Sequence, residues 1–148
     1  MLRPATEKDI PQINELARAM HAESQYRKFN FNAERFTAFC IWLLESPDRL
    51  LQVYERNGVI IGAISGVVID HYFSDAKAAF EFGLYVLPEH RGRLAGYQLA
   101  KYYVAWAKSR GAGHVDMTIT TGITESQTGK MYQQLGFAHF GSVYSLEV

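Results

Sequence analysis

Apolar positions along the chain change their period several times, and each change marks an element. "LRPAT" reads as a short opening strand. Ile10, Ile13, Leu16, Ala17 and Met20 then recur at helical spacing and predict a first helix to about Met20. Asp9 stands at its N-cap position, Pro11 in its first turn and Gln12 at the capping-box position. "HAESQYRKFNF" has no period and reads as a loop. Asn32 is placed to cap a second helix with the stripe Phe36, Phe39, Cys40 and Leu43, which Ser46-Pro47 stops. Two β-rich runs, "RLLQVYER" and "VIIGAISGVVID", flank Asn57-Gly58, a strong short-range hairpin signal. "AAFEFGLYV" is a further strand, ended by Pro88.

From about Gly92 to Arg110 the stripe Ala95, Leu99, Tyr102, Tyr103 and Trp106 predicts a long helix, with Lys101 and Lys108 opposite and Gly111 as its stop. "HVDMTIT" alternates as a strand, "ESQTGKMYQQL" reads as a short helix, and "GFAHFGSVYSLEV" as a final strand. The order β-α-α-β-β-β-α-β-α-β predicts an α/β or α+β fold, a mixed sheet with helices on both faces. No repeat, low-complexity segment or linker divides residues 1–148, so a single domain is expected.

Composition narrows the function classes. Lys+Arg and Asp+Glu both number 15, so the formal charge is zero and any anion site must be local; nucleic acid is an unfavoured partner. The single cysteine, Cys40, excludes an internal disulfide and suits a reducing compartment. "LRPATEKDI" follows Met1 without a basic–apolar–small leader, and no apolar run is long enough to span a bilayer, so a cytoplasmic protein with no membrane partner is expected. The five histidines show no metal-ligand spacing, and no metal is expected. Cys40 lies within an apolar stripe, which favours a core residue over an acylated nucleophile.

One junction carries chemistry. "PEHRGRLAGYQL", Pro88–Leu99, places Arg91, Gly92, Arg93 and Gly96 between a strand and a helix. A helix start there offers unpaired N–H groups and a positive dipole end, two guanidiniums suit phosphate oxygens, and the glycines allow close approach. The stretch alone fits a pyrophosphate cradle and a solvated Arg-bearing helix start equally well. Neither established nucleotide loop competes: G-x-G-x-x-G is missing, and "GITESQTGKM" has the wrong glycine spacing for a P-loop, with Met131 after its lysine.

With this junction and a second motif, the chain resembles the GCN5-related N-acetyltransferase (GNAT) family over nearly its whole length. The coenzyme motif V-x-P-x-x-R-G-x-G-x-G/A stands as Val86-Leu-Pro88-Glu-His-Arg91-Gly92-Arg93-Leu94-Ala95-Gly96, and Y-x-x-x-G-F as Tyr132-Gln-Gln-Leu-Gly136-Phe137. Leu94 departs from the usual central glycine, its side chain directed at the phosphates or at the core. Glu125 and Thr128 depart from the usual Asn and Ala. The resemblance implies a mixed, mostly antiparallel, twisted sheet of six to seven strands with about four helices on both faces. It also implies acetyl-CoA as cosubstrate, an amine of a small molecule or protein as acceptor, and direct attack in a ternary complex.

Residue by residue, the resemblance assigns the cofactor to the main chain of Leu84 and Val86 and to Arg91, Gly92, Arg93, Leu94, Ala95, Gly96 and Tyr97. Tyr132 is the implied acid for the departing thiolate; reference pKa values of about 10 and about 8.5 make that transfer only mildly uphill. Glu81 is the placed acceptor for the amine proton, on the strand face shared with Gly83 and Tyr85 and opposite Phe80, Phe82 and Leu84; a solvated strand glutamate fits it equally. Glu23 and Tyr26, in the loop where this family shapes its acceptor pocket, suit a cation or plain solvent. Two other classes share these features: a catalytically weak CoA-binding regulatory module, motivated by Leu94, and an acetyltransferase toxin acting on charged tRNA. "SVYSLEV" suits either a strand paired across a homodimer or a monomer's edge strand.

Overall fold

Asn57 and Gly58, at φ +52° and +77°, form the two-residue turn that their residue types require, and the turn sets the register of a long antiparallel hairpin. In the computed structural model, which describes residues 1–148, β2 (Arg49–Arg56) and β3 (Val59–Asp70) are its two arms. β1 (Leu2–Pro4) flanks β2, β4 (Lys77–Val86) flanks β3, and β5 (Ala112–Asp116) lies outermost, so the sheet order is the chain order. The first four strands are antiparallel; β5 runs parallel to β4.

Four helices accompany the sheet. α1 (Ile10–Glu23) and α2 (Ala33–Leu44) cover one face, where Ile13, Leu16, Cys40, Leu43, Val53 and Tyr85 form one core. α3 (Leu94–Ser109) covers the other, where Ile64, Val68, Ala79, Leu99 and Tyr103 form a second. α4 (Glu125–Gln134) follows β5 after a loop, 117–124. Asn32 Oδ1 accepts from Arg35 N at 2.9 Å and caps α2, and Gly111 ends α3 at φ +85°. Asp9 stands at the N-cap of α1 with Pro11 in its first turn, as expected, but its side chain makes no cap bond to that helix. Thr6 and Asp9 close a preceding 3₁₀ turn, with Thr6 N and Oγ1 donating to Asp9 Oδ2 at 2.8 and 2.9 Å. Gln12 instead accepts from Ile60 N at 3.0 Å and ties α1 to β3.

Two expectations are corrected. The sheet has five strands rather than six to seven. "HVDMTIT" leaves the sheet after Asp116, and residues 137–148 form no strand: Phe140, Val143, Tyr144 and Leu146 are 75–93% exposed with no ladder to join. Alternation describes what a strand would bury, but without a neighbouring edge there is no burial to drive it. The second correction is a register shift. Ser65 opposes Gly83 while Gly66 opposes Glu81, so Phe82 is an extra, unpaired residue on β4. This bulge inverts the inside–outside phase beyond it. Glu81 therefore shares the α3 face with Gly66, and Tyr85 turns to the α1–α2 core. The predicted common face of Glu81 and Tyr85 does not exist.

Candidate active site

β5 pairs with β4 only as far as Phe80 and then diverges. Past that point the outer edge of β4 has no neighbouring strand. Leu87 N donates to Ile61 O at 2.9 Å, so by alternation the main-chain groups of Tyr85 face β3 and those of Leu84 and Val86 face the open side. Val86 O there accepts from Arg91 Nε at 2.8 Å; the amides of Leu84 and Val86 stay available.

α3 begins at the same opening. Gly92, at φ +71°, makes the turn that Pro88–His90 leads into. Arg93 stands at the N-cap with no side-chain acceptor for the first-turn amides. A sixteen-residue helix thus presents bare N–H groups and the positive end of its dipole to the cleft. Leu94 enters neither core; it is 65% exposed at the rim. Ala95 packs beneath the helix and can offer only its backbone.

The cleft measures about 1010 Å³. It brings together Glu81, Leu84, Val86, Arg91, Gly92, Arg93, Leu94, Gly96, Tyr97 and Tyr132, every predicted site residue except Ala95. Glu81 and Tyr132 meet through one residue. Glu81 Oε2 accepts from Thr118 N and Oγ1, both at 3.0 Å, and Tyr132 Oη donates to Thr118 O at 3.1 Å. Burial pushes the Glu81 carboxyl above the usual carboxylate range, with the two Thr118 bonds opposing it. Burial, then the nearby Glu81, raises Tyr132 well above an ordinary phenol, so its proton is retained at neutral pH.

The two arginines behave differently. Both terminal nitrogens of Arg91 pair with Glu23 at the end of α1, Nη2 to Oε2 at 2.6 Å, and its guanidinium lies 5.1 Å from the Tyr85 ring centre. Tyr85 Oη donates to the same carboxylate at 2.8 Å, and burial with that bond raises Tyr85 to about 12. Arg91 first of all holds the Glu23 carboxyl below its usual range. Arg91 is thus a brace between α1 and the loop before α3, whereas Arg93 has no side-chain partner and is the free cation.

Sequence reasoning missed the far wall. Thr118–Thr121 and Ile123, read as strand or left unassigned, line the cleft, and the 3₁₀ turn Gln25–Lys28 is latched onto them. Gln25 Nε2 donates to Thr120 O at 2.8 Å, Gln25 N to Thr121 O at 2.9 Å, and Tyr26 Oη to Thr120 Oγ1 at 2.7 Å. Gly122, breaking the run "TITTGIT", was the available sign of a loop. Tyr26 is therefore occupied by the protein itself. Cys40 is buried, its thiol pushed up to about 11 by desolvation, and it lies in the α1–α2 core away from this cleft.

Comparison with known proteins agrees with this architecture. The profile of the Acetyltransferase (GNAT) family matches residues 14–137. No curated protein sequence matches the chain. Among solved structures, a transcriptional regulator from Bacillus halodurans C-125 is 21% identical with a TM-score of 0.82, covering 100% of this chain and 99% of its own. AAC(6')-Iy, in complex with the bisubstrate analogue CoA-S-monomethyl-acetylneamine, is 18% identical, TM-score 0.80, over 100% of this chain and 97% of its own. Glucosamine-6-phosphate N-acetyltransferase from Arabidopsis thaliana is 16% identical, TM-score 0.80, over 99% and 97%. At these identities the likeness speaks for the fold. The sequence profile, covering both motifs that frame the cleft, goes further: the chain belongs to the acetyltransferase (GNAT) family.

Proposed function

We propose that the protein is an acetyl-CoA-dependent N-acetyltransferase that transfers the acetyl group to a primary amine by direct attack within a ternary complex. The observation that carries this reading is the uncapped start of α3 opening onto the same cleft as the unpaired edge of β4. A pyrophosphate fits the first-turn amides of α3 with the Arg93 cation beside them. A pantetheine amide fits the edge groups of Leu84 and Val86, and a strand N–H there can donate to the thioester oxygen as charge develops on it.

The reacting groups follow. The amine nitrogen bonds to the acetyl carbon and the carbon–sulfur bond breaks. Glu81 takes the proton that the amine sheds, and Tyr132 gives a proton to the sulfur. An amine of pKa about 10.4 must first lose a proton, costing roughly 4–5 kcal/mol at pH 7 without help. A carboxylate whose basicity is raised by burial reduces that cost. Thr118 orients both side chains.

Thermal unfolding with and without acetyl-CoA tests the reading. Ligand at 100 times its dissociation constant stabilises by about 2.7 kcal/mol, roughly 5–10 °C for a chain of this size. Leu94→Glu puts an anion at the open helix start without disturbing a core. It should keep the melting temperature and lose the ligand shift. No shift in the parent protein overturns the reading. Binding without turnover of any amine makes the chain a CoA-binding regulatory module instead.

A further inference from the structure

The bulge at Phe82 separates two cavities that share a wall. On the α1–α2 side lies a second pocket of about 90 Å³, and Met20, Phe82, Gly83 and Tyr85 line both it and the main cleft. Thirteen of its fifteen lining residues are hydrophobic, and Ser65 is the one with a polar side-chain group apart from the Cys40 thiol and the Tyr85 hydroxyl. The Tyr85 hydroxyl is already engaged with Glu23. Phe82 is 48% exposed and stands edge-on to Phe39 at 5.3 Å and to Trp42 at 6.0 Å. A side chain built at Gly83 would meet nothing within 4 Å, so the strand is bare between the two cavities. Glu81, two residues before this opening, is the one carboxylate lining the main cleft, against the cations Arg91 and Arg93. Glu23, the other acid at hand, is taken by Arg91 and Tyr85.

From this we infer that the acceptor is a monoamine with a compact apolar body, which seats in the small pocket while its nitrogen passes the open edge of β4 beside Gly83 to reach Glu81 on the other face. The inference rests on the acetyltransferase reading and names its acceptor class. Electrostatics and size both select. A polycation entering the cleft finds a single carboxylate, Glu81, because Glu23 is taken by Arg91 and Tyr85, whereas a monoamine needs only that one. The pocket is smaller than the roughly 150 Å³ that holds benzene and suits a branched alkyl group of about four carbons.

The test measures thiol release at saturating acetyl-CoA for ethylamine, isopentylamine, spermidine and kanamycin, after the thermal shift has established cofactor binding. Isopentylamine should exceed ethylamine at least tenfold in kcat/KM, and exceed both polycations. Ala17→Leu, which projects into the pocket from α1, should lower the isopentylamine-to-ethylamine ratio about tenfold. Phe82→Ala, at a position that is half exposed, should lower the same ratio and guards against misfolding of the first variant. A cofactor shift together with faster turnover of spermidine or kanamycin overturns the acceptor class and leaves the acetyltransferase reading intact. An unchanged ratio in both folded variants, or cofactor binding with no amine turned over, also overturns it. No cofactor shift overturns the underlying reading itself.

Discussion

The helices on the two sides of the molecule begin differently. On the α1–α2 side the polar groups around the starts are engaged: Asp9, the N-cap residue of α1, makes no cap bond to that helix but accepts from Thr6 and from Arg3, and Asn32 caps α2. On the other side, α3 begins at Arg93 and α4 at Thr124, and neither has a side-chain cap. Thr124 is also held at φ +43°, in a left-handed region that a β-branched residue enters only at a cost of about 1–3 kcal/mol. Both uncapped starts line the cleft. Polar side chains are tied down around the first two helix starts, whereas the starts of α3 and α4 face the cleft with no side chain on their first-turn amides.

The largest effect is expected from disabling chemistry on the open side. Tyr132→Phe should lower kcat about a hundredfold or more with the acetyl-CoA dissociation constant nearly unchanged, as separate turnover and titration measurements would show. An equal loss in affinity would make Tyr132 a packing residue of α4. Glu81→Gln should remove the acid limb of the kcat/KM profile. The base works ionised, so activity in the parent protein rises with pH through a pKa above the ordinary carboxylate range. An unchanged profile would assign proton removal elsewhere.

Loosening the α1–α2 side should cost stability without touching affinity. Asp9→Asn loses charge-assisted bonds from Arg3 at 2.8 Å and should destabilise by about 2 kcal/mol at pH 7 in a denaturant titration. Arg3, first among the causes, holds the Asp9 carboxyl below its unfolded pKa of about 3.9. The contribution is therefore complete above about pH 4 and lost as pH falls toward the depressed value, and the penalty of the variant should shrink over that window. The smallest effects form a matched pair. Asn32→Ala should cost about 1 kcal/mol, whereas Arg93→Asp, which supplies the missing cap to α3, should gain about 0.5 kcal/mol and weaken acetyl-CoA binding. A loss of stability in both would mean that α3 is sealed by some other means.

Much of the fold was legible because its signals are local. Asn57-Gly58, Asn32 and Gly111 each fix a turn or terminus through their own chemistry, and the helical stripes emerged as α1, α2 and α3. The loop before α3 was legible as a motif, since Gly92 and the residues after it must occupy consecutive positions to present amides together. What escaped depended on partners distant in sequence. The carboxylate that occupies Arg91 belongs to Glu23, and the latch from Gln25 and Tyr26 closes onto Thr120 and Thr121. Phe82 leaves no mark in a period-two pattern, so counting along β4 assigned Glu81 to the wrong face. The last segment alternated convincingly, but a pattern cannot state whether an edge is there to receive it.

The bulge has a consequence for how this gene can vary. Exchanging one residue for another at Glu81, Phe82 or Gly83 alters a group while leaving the remaining ones in place. Deleting Phe82 removes the one residue of this stretch without a partner on β3: Glu81 stays opposite Gly66 and Gly83 opposite Ser65, so both flanks of β4 keep their faces and only the Phe82 ring is lost. Libraries built on this strand can therefore include the form that lacks Phe82 alongside substitutions, because the bulge absorbs the loss of one residue.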